Sequence, residues 1–74
     1  MNTEKLIKEY NSIITDQEKV INACTESIRE LRRKNLSTKD YNDLTVDYVT
    51  DRKIAETKRQ SYIQFISDLE CLND

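Results

Sequence analysis

The chain has 74 residues and a net charge of -2, with 12 basic and 14 acidic side chains. It contains no glycine, proline, histidine or tryptophan. These gaps exclude a phosphate-cradling glycine-rich loop, a dinucleotide fingerprint and histidine-based acid–base or zinc chemistry.

The first predicted element is a long amphipathic helix. Ile7, Ile14, Ile21 and Ile28 recur every seven residues and define heptad position a. Position d then holds Tyr10, Gln17, Cys24 and Leu31, and position g holds Leu6, Ile13, Val20 and Ser27. The remaining positions are mostly charged. Four heptads in register make a strong helical signal. Apolar residues at a, d and g give a face wider than a two-stranded seam requires. Asn2 or Thr3 is placed to cap the start, and Glu4 suits the positive end of the dipole.

The helix is expected to stop at Arg32, Arg33 and Lys34, cations that favour a helix C-terminus. Asn35 follows, and asparagine tolerates the left-handed conformation found just beyond helix ends. Ser37 then offers an N-cap with Asp40 at N3, a variant of the capping box. Leu36 and Tyr41 have the spacing of a hydrophobic staple. Residues 35–37 are therefore read as the one turn.

The second helix carries Tyr41, Tyr48, Ala55, Tyr62 and Leu69 at a seven-residue period, extended by Leu44, Phe65 and Leu72. Asp51 and Lys58 interrupt the stripe. Residues 45–50 favour strand by composition, so a break near Thr50 is the alternative to a continuous helix. A short turn makes the two helices antiparallel neighbours. The predicted fold is all-α: one helical-hairpin domain over residues 1–74, dimerising into a four-helix bundle or coiled coil. The apolar stretch 13–21 would face the charged stretch 52–59, so the first helix is expected to pack on its counterpart in a second copy. The expected self-association or partner surface is Leu6, Ile7, Tyr10, Ile13, Ile14, Gln17, Val20, Ile21, Cys24 and Ile28.

Several side chains have a structural and a functional reading. Gln17, alone and polar at d, either sets register through a buried contact with Arg52, Lys58 or Arg59, or is solvated at the rim. Arg29, Arg32, Arg33, Lys34 and Lys39 would make a phosphate-contacting tip. Interleaved acids favour instead dipole compensation and local pairs such as Glu26 with Arg29 and Glu30 with Lys34. Tyr41, Tyr48 and Tyr62 fit core tyrosines better than an aromatic docking strip. Cys24 and Cys71 are too far apart along a hairpin to bridge.

No cofactor or metal is expected, nor an enzymatic activity, since two helices without loops offer no sheltered pocket. No segment approaches the length of a membrane span, and nothing at the N-terminus reads as a signal peptide. A cytoplasmic setting is expected from the sparse cysteines. The expected function is a small interaction protein, a regulator, inhibitor or adaptor of the kind phages and mobile elements carry. A nucleic-acid binder using the basic tip, or a structural subunit of a larger assembly, are the alternatives. In outline the layout resembles the plasmid RNA-binding Rop type, without a shared motif that would carry function across.

Overall fold

The computed structural model describes residues 2–72. Its two elements are α1, Thr3–Arg32, and α2, Thr38–Leu72. They form an antiparallel hairpin measuring 54 × 14 × 14 Å. A helix of 35 residues at ~1.5 Å per residue accounts for that length, so α2 runs the length of the molecule. No helix among the described residues is long and apolar enough to cross a membrane.

The helix ends follow from local chemistry. The Asn2 side chain accepts from the Lys5 backbone N–H at 3.2 Å and caps α1. At the far end the Arg33 and Lys34 N–H groups donate to the Glu30 and Leu31 carbonyls, which tightens the last turn. Asn35 then adopts φ 55°, the left-handed turn residue that the sequence implies. Ser37 Oγ accepts from the Asp40 N–H at 3.2 Å and starts α2. Leu36 and Tyr41 border the same crevice beneath the turn.

The second helix is continuous through the strand-favouring segment. Its threonines reconcile their branched side chains with the helix by bonding back one turn. Thr45 donates to the Tyr41 carbonyl at 2.8 Å, and Thr50 to the Val46 carbonyl at 2.8 Å. Thr57 and Ser61 repeat the pattern. Thr50 therefore lies within the helix and caps no new start.

The α1 seam is the predicted one. Ile14, Cys24 and Ile28 are buried, and Ile7, Tyr10, Gln17, Ile21 and Leu31 are half-buried. The α2 seam differs from expectation at alternate positions. Tyr41, Ala55, Tyr62 and Leu69 face inward, but Leu44, Phe65 and Leu72 are exposed. Along the stripe of Leu44, Asp51, Lys58 and Phe65 the inward places are taken one residue later, by Thr45, Arg52, Arg59 and Ile66. After each aromatic or alanine position the helix turns its i+4 neighbour inward, not its i+3 neighbour. Either step fits a helical face. The inward set contains a threonine and two arginines, so hydropathy hides it.

Register is fixed by aromatic contacts. The Tyr10 and Tyr62 rings lie 5.1 Å apart, and Arg32 reaches the Tyr41 hydroxyl at 3.5 Å. Residue i thus sits level with roughly residue 73 minus i, as a short turn dictates.

Candidate interaction surface

The arginines in the α2 seam divide the hairpin into two unlike flanks. Arg52 and Arg59 lay their stems along the seam and carry their charged heads to one edge, the usual compromise for a long cation on apolar surface. Arg52 Nη1 donates to Thr25 Oγ1 at 3.3 Å, and its Nε lies 3.7 Å from Glu56. Arg59 Nε lies 3.5 Å from Glu18. Glu18, Ile21, Asn22, Glu56, Arg59 and Gln60 line a shallow crevice on this flank. The charges of this flank pair locally, although Val49, seven residues before Glu56 on the same stripe, is 45% exposed. Among the described residues no hydrogen bond joins Gln17 to Arg52, Lys58 or Arg59, because the arginines turn to Thr25 and Glu18. The expected Gln17 pairing is therefore not formed.

The opposite flank is apolar. On α1 it carries Leu6, Ile13 and Val20, with Ser27 next in the same series. Ser27 borders Leu44 of α2 across a crevice there, which places Leu44 on this side. Phe65 belongs to the same side and closes an aromatic trio, with ring centroids 6.1 Å from Tyr10 and 5.5 Å from Tyr62. Leu44, Asp51, Lys58 and Phe65 lie seven residues apart and so share one stripe. Ile54 stands between Asp51 and Lys58, one turn from each, and is 53% exposed.

The ten expected interface residues fall into two groups. Ile7, Tyr10, Ile14, Gln17, Ile21, Cys24 and Ile28 belong to the seam with α2. Leu6, Ile13 and Val20 line the apolar flank, where Val20 is exposed and the other two half-buried. Sequence reasoning misses the contribution of α2 to this flank. It places Leu44 and Phe65 in the seam and gives Ile54 no role.

The other expected sites are modest. Arg29 pairs with Glu26 at 3.2 Å, one of the two local pairs anticipated. Among the described residues Lys34 forms no ion pair with Glu30. Arg32, Arg33, Lys34 and Lys39 are exposed around the turn. Tyr41 and Tyr62 are half-buried in the seam, while Tyr48 is exposed. Cys24 is buried and Cys71 exposed, both as free thiols. Among the described residues no cluster of acids and cysteines is arranged to hold a metal ion.

No protein-family model matches the chain, and neither the curated proteins nor the solved structures yield a match.

Proposed function

We propose that the protein is a non-enzymatic helical interaction module, acting by self-association and by binding another protein. One observation carries this reading. The hairpin fully buries no large side chain among the described residues, while Val20, Leu44, Ile54 and Phe65 stand exposed along one flank. A core of Ile14, Cys24, Ile28 and Ala55 is small even for a short chain. Chains of this length bury only about 60% of their unfolded surface and commonly gain stability by assembling. The four exposed side chains are already about half covered, so complete burial in an interface contributes roughly 1 kcal/mol each. An apolar strip of this kind, interrupted by Asp51 and Lys58, suits an interaction site.

The shape of the molecule favours a surface function over catalysis. Its grooves are open, and one of them is lined by α2 residues alone, from Lys53 to Phe65. Sedimentation velocity across a micromolar range tests the reading. The expected result is a concentration-dependent dimer with intact helicity. A well-folded monomer at high micromolar concentration contradicts self-association.

A further inference from the structure

The exposed stripe of α2 reads the same way against itself when reversed. Leu44, Asp51, Lys58 and Phe65 follow one another at heptad spacing: apolar, acidic, basic, apolar. Laid antiparallel on a second copy, centred between residues 54 and 55, the stripe sets Leu44 against Phe65, Asp51 against Lys58, Lys58 against Asp51 and Phe65 against Leu44. Ile54 lies half a residue from this centre, so it is offset from its own counterpart by only about 1.5 Å along the helix. We propose that this stripe, with Leu6, Ile13 and Val20 beside it, is an antiparallel homodimer interface across a two-fold axis at Ile54. The inference rests on self-association of the chain and specifies its partner, face and orientation.

Three observations converge on a second copy of this chain as the occupant. First, with α2 laid on α2 the four heptad positions are complementary in charge only in the antiparallel sense. A parallel, in-register pair would set Asp51 on Asp51 and Lys58 on Lys58, and like charges across an interface are strongly disfavoured. Second, Asp51 and Lys58 are exposed, and among the described residues neither joins an ion pair within the hairpin. They stand on the apolar flank without a local role. Third, the same axis suits α1. The register that sets Tyr10 by Tyr62 puts the level of residue 54 near residue 18 of α1. Ile13 and Val20 flank that level, so those of one copy interleave with those of the other. An isologous two-fold contact requires this kind of self-complementarity. The polar flank, with Arg59 bound to Glu18 and Arg52 to Thr25, is left facing solvent.

Exchange of charge between copies tests the arrangement. Asp51→Lys places lysine against lysine on both sides of the centre, and Lys58→Glu places acid against acid. Each variant alone is expected to weaken the dimer about tenfold. In an equimolar mixture, the lysine introduced at position 51 of one variant meets the glutamate introduced at position 58 of the other. The Lys58 and Asp51 that remain unaltered meet each other. The mixed dimer is expected to recover to within about threefold of the parent. Sedimentation velocity with one variant carrying a mass tag separates the mixed species from either self-pair. If a single variant loses helix on its own, recovery of far-ultraviolet circular dichroism on mixing reports the same pairing. A parent chain that dimerises while the mixture stays as weak as its components overturns the antiparallel stripe but leaves self-association standing. A parent chain that remains a folded monomer overturns both.

Discussion

Arg59 of α2 crosses the seam to within 3.5 Å of Glu18 on α1, with both side chains still partly in water. An arginine at a seam position normally faces an apolar neighbour, and here its stem packs while its head escapes to the edge. The ion pair is therefore a minor contributor. A double-mutant cycle on Glu18→Ala and Arg59→Ala is expected to give a coupling of about 0.5 kcal/mol. That coupling should shrink in high salt. Arg59→Leu, by contrast, should stabilise the hairpin by about 1 kcal/mol, because it converts a polar layer into an apolar one. Urea denaturation at fixed protein concentration reads both effects. A destabilised Arg59→Leu variant would show that the arginine does more than fill space.

Tyr62 anchors the open end of the hairpin through rings on two elements, Tyr10 at 5.1 Å and Phe65 at 5.5 Å. The Tyr62–Phe65 pair is edge-to-face, a favourable arrangement for aromatic quadrupoles. Tyr62→Ala should cost about 2–3 kcal/mol through lost ring contacts and incomplete collapse around the gap. Tyr62→Phe should change stability by less than about 0.5 kcal/mol, since among the described residues the hydroxyl makes no hydrogen bond. Equal losses for the two variants would place the contribution in the hydroxyl and not in the ring.

Most of the fold was legible because its signals are local. Asn2, Asn35 and Ser37 announce the ends of helices through their own backbone preferences, and the isoleucine heptad of α1 repeats without interruption. Hydropathy misleads at the α2 seam for a physical reason. At 44/45 the apolar Leu44 loses the inward place to Thr45, at 51/52 and 58/59 both competitors are charged, and at 65/66 both are apolar. Hydropathy therefore selects the inward member at none of the first three and only weakly at the last. What decides it is the packing of both helices together. Cys24 and Ile28 lie buried in the seam, where the hairpin accommodates Thr45 and the arginine stems. The exposed Leu44 and Phe65 then complete the apolar flank that Leu6, Ile13 and Val20 begin. The wide face of α1 was visible in the sequence, but its continuation on α2 required the seam to be assigned first.

The turn should be sensitive to backbone chemistry at one residue. Asn35 has φ 55°, where a Cβ carries a steric cost that asparagine tolerates and alanine does not. Asn35→Ala is expected to lose about 1 kcal/mol, and Asn35→Gly to be neutral or slightly stabilising. Ser37→Ala removes the acceptor for the Asp40 N–H and should also cost about 1 kcal/mol. Amide exchange at Asp40 should then accelerate relative to the middle of α2. A tolerated Asn35→Ala would mean that the turn relaxes into another geometry.

Ala55 and Ile54 are adjacent in sequence and opposite in role. Ala55 is 2% exposed, the most enclosed side chain of the core, where the two helices approach closely. Ile54, next to it, is 53% exposed on the apolar flank. Ala55→Leu inserts methylenes where no space exists, and overpacking of this kind costs about 1–3 kcal/mol. That loss belongs to the hairpin and should be the same at every protein concentration. Ile54→Ala removes nothing from the hairpin core, so its cost should appear only through association. It should grow as a shift in the apparent melting temperature at concentrations where the parent is dimeric and vanish where the parent is dissociated. Thermal unfolding followed over about a hundredfold range of protein concentration separates the two behaviours. If Ile54→Ala lowers stability by a concentration-independent amount, the side chain supports the single hairpin. The two-fold contact at Ile54 would then have to be abandoned.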